Sequence, residues 1–189
     1  MSFLRNVVWA GGMAGLLSAA AAAACSRIEN RRAAPAINAI SHIAWGGPPP
    51  YQEGPAATNF VTGAALHTGA SLFWALMFEA LFGRAARGSR KAAVLGSAAT
   101  AAAACVTDYR IVSRRFRPGF EAYLSRASLF AVYGALAAGF ALGARLAERA
   151  VRARKRSTPP RPVLRYAGSE ALASAQADRA ASFTRLHMP

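Results

Sequence analysis

Four stretches of this chain carry no formal charge, and their lengths constrain the fold more than anything else in the sequence. They lie between Arg5 and Arg27, Glu53 and Glu79, Lys91 and Asp108, and Arg126 and Arg145, and hold 21, 25, 16 and 18 residues. A soluble domain with a net charge of +15 would spread its charges along its length; here they gather between apolar blocks. A helix crossing the hydrocarbon core needs about 20 mostly apolar residues, range about 17–25. Three blocks fit outright. The third is completed by Ile111 and Val112, with Asp108 reaching for the interface. In lipid only helices and closed barrels satisfy their backbone groups, and the two-residue alternation of a barrel strand is missing. The expectation is an all-α membrane four-helix bundle. A soluble alanine-rich bundle is the rival, and would need polar faces at helical period that these blocks lack.

The spans fall at about 7–25, 60–82, 92–109 and 129–146, giving a transmembrane domain over 1–148. Residues 149–189 form a basic, proline-containing tail, expected to be largely disordered, with a weak helix at most in "SEALASAQADRAASFTRL". Gly11 and Gly15 in the first span, and Gly139 and Gly143 in the fourth, are four apart. Such spacing lets two backbones approach closely in lipid. Packing within the chain is the simpler use of these glycines, and a homo-oligomer or a larger membrane complex the sharper one. The third span, "AAVLGSAATAAAACV", is too alanine-rich to partition strongly by itself and is expected inside the bundle, against the first and fourth.

The first loop reads "PAINAISHIAWGGPPP". Ile37, Ile40 and Ile43 recur every three residues before Trp45 and a Gly-Pro stop, which describes a short interfacial helix with its tryptophan at headgroup depth. In the third loop Pro118 is placed to start the helix that becomes the fourth span. Cys25 and Cys105 end the first and third spans, so both thiols fall on one side. A bridge needs that side to be oxidising; two small residues in alanine-rich packing is the simpler reading. The N-terminus could pass for a lipoprotein signal ending at Cys25. It has only Arg5 in its basic region, Ala22 where leucine is usual, and an apolar run longer than the 7–15 residues of a signal core. A retained first helix is expected.

Orientation follows from basic residues in the flanks. The termini and second loop carry 15 of the 23, and the first and third loops 8. Both termini are therefore expected in the cytoplasm. Arginine outnumbers lysine 21 to 2, a pattern of high-GC bacterial genomes, so the address expected is the bacterial inner membrane. The basic cluster after Arg145 should attract anionic lipid headgroups. Nucleic acid is the competing partner for such charge, but no recognisable module is present and the cluster abuts a membrane span.

Ionisable groups inside a span are functional candidates by default. His67 and Glu79, in "LHTGASLFWALMFE", are about 18 Å apart along a helix rising 1.5 Å per residue, and about 120° apart around it. They cannot form one site. Glu79 falls near the inner edge, where Arg84, Arg87 or Lys91 can neutralise it as an interfacial anchor. His67 lies deeper, with Ser71 and Trp74 on its face, Asp108 at a similar level and His42 in the first-loop helix. His67, Asp108 and His42 suit a metal or a proton-accepting cluster. A buried histidine bonded to a neighbouring helix is the plainer reading. No metal or other cofactor is expected, since paired ligands at helical spacing, H-E-x-x-H and a cysteine pair are all missing. Nor is there a G-x-S-x-G, a phosphate-binding glycine loop or a serine–histidine–aspartate arrangement, so the chain is not read as an enzyme.

"PAINAISHIAWGG", "ALHTGASLFWALMFE" and "TDYRIVSRRFRPGFE" give the chain a resemblance to a family of small, uncharacterised four-span inner-membrane proteins of proteobacteria. It covers about residues 5–145 and not the tail. The match runs through Asn38, Ser41, His42, Trp45, His67, Trp74, Glu79, Asp108, Tyr109, Pro118, Gly119 and Glu121, with Ser113 where the family commonly has proline. The resemblance implies the four-span architecture and no activity. The function expected is structural or accessory. The alternative is an oligomeric transporter or channel component with a polar site around His67 and Asp108.

Overall fold

In a computed structural model the described residues, 2–48, 56–157 and 174–179, form helices and connecting turns, with no strand among them. The long helices are α1 (Ser2–Asn30), α4 (Ala56–Leu81), α6 (Arg90–Val106) and α7 (Arg126–Ser157). Between them lie the short helices α2 (Pro35–Ala39), α3 (His42–Trp45) and α5 (Gly83–Gly88). Four helical segments, Phe3–Asn30, Ala56–Leu81, Arg90–Ile111 and Arg126–Ala153, are long and apolar enough to cross a membrane. Their outward faces present Val8, Leu16, Phe60, Phe73, Val94, Leu95, Phe130 and Leu142 rather than charge. The chain is an all-helical membrane protein. It divides into two compact units, Met1–Arg154 and Lys155–Pro189. In the second unit residues 174–179 are helical; the remainder of the expected weak helix and the proline stretch lie outside the described residues.

Small side chains set the packing. Every third or fourth residue of α1 is buried from Val7 through Ala10, Ala14, Ser18 and Ala22 to Ser26. The glycine pairs divide the neighbours between them. A Cβ on Gly11 would lie 3.0 Å from the Leu72 Cα, and one on Gly15 3.2 Å from Ser71, so this pair faces α4. A Cβ on Gly139 would lie 2.6 Å from the Ala14 nitrogen, and one on Gly143 2.5 Å from the Ala10 Cα, so the second pair faces α1. Both pairs are used within the chain. Ala75, Phe78, Ala101, Ala104, Tyr133, Leu136 and Phe140 complete the core shared by the four helices, with Phe78 and Phe140 stacked at 5.7 Å.

The position of α6 corrects the expectation of a helix enclosed by the others. It buries one face through Ala93, Gly96, Ser97, Thr100, Ala101 and Ala104, and exposes Val94 and Leu95 on the other. Alanine is apolar all round, so hydropathy hides this face; the small and hydroxylated residues mark it. Four hydroxyls inside the spans bond one turn back: Ser18 to the Ala14 carbonyl at 2.6 Å, and Thr68 to Ala64, Ser71 to His67 and Thr100 to Gly96, each at 2.8 Å. The thiols of Cys25 and Cys105 are free.

Helix ends depart from the charge-free blocks. α7 starts at Arg126 and not at Pro118. Ser125 caps it, its Oγ accepting from the Ser128 amide at 3.3 Å. The Glu29 carboxylate accepts from the Ser125 amide (2.8 Å) and hydroxyl (2.7 Å) and from the Ser128 hydroxyl (2.5 Å). Carboxylates are favoured at helix N-termini, where unbonded amides carry partial positive charge. Glu29 thus ties the end of α1 to the start of α7, and Asn30 adds a bond to the Tyr123 carbonyl at 2.6 Å. Glu29→Gln is expected to weaken this tie, visible as faster amide hydrogen exchange at Ser125 with the core amides of α7 unchanged. Pro118 instead leads a tight turn with Gly119, whose φ of 80° suits glycine.

The first loop is more deeply packed than an interfacial helix lying flat. α2 and α3 are separated by a turn at Ile40 and Ser41, and Ile37 and Ile40 are buried with Ala22, Phe120, Leu124 and Val132. The Ile37 carbonyl sits against Gly63 of α4, where a Cβ would collide with it. Trp45 stays exposed, and Gly46, with φ 82°, ends α3.

Candidate functional site

At the end of the bundle that carries the first and third loops, a cavity of about 240 Å³ opens between the helices. Its walls are Ser18 of α1, His67, Ser71 and Trp74 of α4, Ala104 of α6, and Val132, Tyr133 and Leu136 of α7. Ile40 and Ile43 from the first loop and Phe116, Pro118 and Phe120 from the third also line it. Asp108 lines it too. His67 and Asp108, from different helices, therefore meet one cavity, together with the Ser71 and Trp74 that share the face of His67.

The two polar anchors are held differently. His67 Nε2 lies 3.0 Å from Ser18 Oγ and 3.2 Å from the Gly15 carbonyl oxygen. The Ser18 hydroxyl already donates to Ala14, so its oxygen is left to accept. Both neighbours of Nε2 are then acceptors, and the imidazole carries its proton there. Nδ1 is left as an acceptor without a partner among the described residues. Phe120 meets the ring edge-on at 6.2 Å.

Asp108 belongs to a π turn over Thr107–Ile111 that widens the last turn of α6, with the Val112 amide bonded to the Thr107 carbonyl at 2.9 Å. Such turns insert one residue into a helix and recur at functional sites. Arg117 braces it by donating to the Tyr109 carbonyl at 3.1 Å. The Tyr133 hydroxyl donates to Asp108 Oδ2 at 2.6 Å, while Oδ1 has no partner among the described residues. Tyr109 packs edge-on against Tyr133 at 6.2 Å. Tyr133 and Ser18 were not legible as site residues. Asp108 needs a partner within the membrane, and Tyr133, near the start of the fourth span, is a polar side chain that could have signalled one.

His42 does not join them. It is buried, its Nδ1 lies 2.7 Å from the Ala39 carbonyl oxygen, and it borders a separate hollow with Gly46, Gly47, Pro48, Arg114 and Arg115. No group of three or more potential metal ligands occurs among the described residues.

Glu79 lies at the other end of the bundle and is buried, which departs from an anchor at the interface. Arg87 of α5 donates to its Oε2 at 2.7 Å. Gly83 makes the room, since a Cβ there would lie 2.8 Å from the carboxyl carbon. Between this ion pair and the His67 cavity the bundle is filled by Ala75, Phe78, Leu136 and Phe140.

The cavity can do one thing well. Its surface is apolar apart from a few fixed groups, which is the usual make-up of a small-molecule site. The atoms left over, His67 Nδ1 and Asp108 Oδ1, both accept hydrogen bonds. No protein-family model, curated protein or solved structure matches the chain.

Proposed function

We propose that this chain is a non-enzymatic accessory protein of the bacterial inner membrane, with both termini in the cytoplasm. Its working part is the cavity, which holds a small, mostly apolar molecule bearing a hydrogen-bond donor. The observation that carries this reading is the convergence of His67 and the Asp108–Tyr133 pair on one apolar cavity. A cavity of about 150 Å³ lined by aliphatic and aromatic side chains takes up benzene. The larger volume here suits a single substituted ring, with its hydroxyl or ammonium directed at Asp108 or His67. The distribution of basic residues supports this orientation, and with it a cavity in the outer half of the membrane.

A polar conduit through one chain fits less well. Stacked Phe78 and Phe140, both fully buried, lie between the cavity and the Glu79–Arg87 pair, so among the described residues aromatic rings rather than charged side chains fill the bundle between the two ends.

The test uses Trp74, which lines the cavity, as the reporter. In a Trp9→Phe, Trp45→Phe background it is the one remaining tryptophan. 4-Ethylphenol is expected to change its fluorescence saturably and to bind roughly tenfold more tightly than 4-ethylanisole, which has the same body without the donor, because bonds to charged groups contribute about 1.5–3 kcal/mol. Asp108→Asn should remove most of that preference. Equal affinity for the two probes, or a preference unchanged by Asp108→Asn, would sink this reading.

A further inference from the structure

The other end of the bundle holds a second hollow, of about 320 Å³, whose chemistry is the opposite of the first. It lies between the junction of α5 and α6 and the last turns of α7. Arg87, Arg90, Arg145, Arg149 and Arg152 line it, against the single carboxylate of Glu148. Two of the five arginines are matched: Arg87 to buried Glu79, and Arg152 to Glu148 one turn away. Arg90, Arg145 and Arg149 have no acidic partner among the described residues. Arg145 and Arg149 are four residues apart on one face of α7 and point at the same hollow as Arg90. Three unmatched guanidinium groups around one concavity repel one another and present paired donors in the geometry that phosphate oxygens accept.

Position narrows the ligand. Arg145 directly follows the charge-free block 127–144, and Arg90 opens the helix whose charge-free block starts at Ala92. The hollow therefore sits where hydrocarbon gives way to headgroups. Basic pockets between membrane helices at this level bind multiply charged phospholipid headgroups. We infer that the α5–α6–α7 hollow is a specific site for a phospholipid headgroup carrying two phosphate groups, held by Arg90, Arg145 and Arg149. This goes beyond general attraction of the basic tail to anionic lipid, because it names one pocket and a stoichiometry of one. It stands independently of the cavity around His67.

Native mass spectrometry of the detergent-purified chain, titrated with diphosphatidylglycerol, tests it. Wild type is expected to retain one such lipid per chain, in preference to phosphatidylcholine. Arg145→Gln with Arg149→Gln should weaken retention about 30-fold, taking a factor of about five for each arginine at the headgroup level. Arg31→Gln with Arg32→Gln, which removes as much charge from the opposite end, should leave retention unchanged. All four residues are exposed, so unliganded melting temperatures should match wild type. Equal losses in the two double variants would reduce the effect to net charge and overturn the site. Displacement of the lipid by millimolar inorganic phosphate would reassign the hollow to free phosphate and overturn the lipid assignment.

Discussion

Leucine at position 143 is expected to split the bundle, and leucine at position 134 to leave it intact. Both positions are glycines of α7. A Cβ on Gly143 would overlap the Trp9 carbonyl and lie 2.5 Å from the Ala10 Cα, so what stands in the way is the α1 backbone. A flexible side chain can rotate away; a helix backbone must translate as a unit, and the contacts of Ala14, Phe140 and Ala144 move with it. Overpacking a core costs typically 1–3 kcal/mol and occasionally more, and a collision with backbone places Gly143→Leu at about 3 kcal/mol or above. Gly134 has nothing within 4 Å of a Cβ, so Gly134→Leu adds only lipid-facing surface. Thermal unfolding of both variants in the same detergent checks the contrast. If the two melt together, the α1–α7 seam is not where the bundle is held.

Removing the Arg87 guanidinium is the second large effect expected. Glu79 is buried with its Oε2 on Arg87 and its Oε1 without a hydrogen bond, so Arg87→Ala strands a carboxylate in the bundle. Breaking one side of a buried pair costs about 3–5 kcal/mol. The Arg87 side chain is 38% exposed, so water relieves part of the loss and about 2–3 kcal/mol is expected. Glu79→Gln in the Arg87→Ala background should recover much of it, because an uncharged amide needs no counter-ion. A double variant as unstable as Arg87→Ala alone would show that the arginine acts through packing of its stem and not through charge.

Fold and site were legible to different depths. Hydrocarbon thickness dictates the length of an uncharged run, so four spans followed from counting. Their ends did not, because helices continue into water past residues such as Arg27 and Arg145, which favour helix but end the uncharged block. His67 and Asp108 stood out because an ionisable group in lipid has few excuses. Their partners depended on register between helices, and for Asp108 on one extra residue in the turn at Thr107, which no periodicity announces. Residue type alone groups His42 with them, whereas its ring bonds to the carbonyl three residues back in its own loop. For Glu79 the sequence supplies Arg87 among its candidate partners, and the structure uses it; the burial of the carboxylate was not legible, because nothing in the hydropathy of α4 shows that Gly83 leaves room for it.

The hydroxyls of Ser18, Thr68, Ser71 and Thr100 each donate a hydrogen bond to a carbonyl in their own helix. None of these bonds waits for a neighbour. Each segment can therefore leave the translocation machinery for lipid with these donors already saturated, and association of the spans can come as a later, reversible stage. The Asp108–Tyr133 bond crosses between helices and can form only at that second stage.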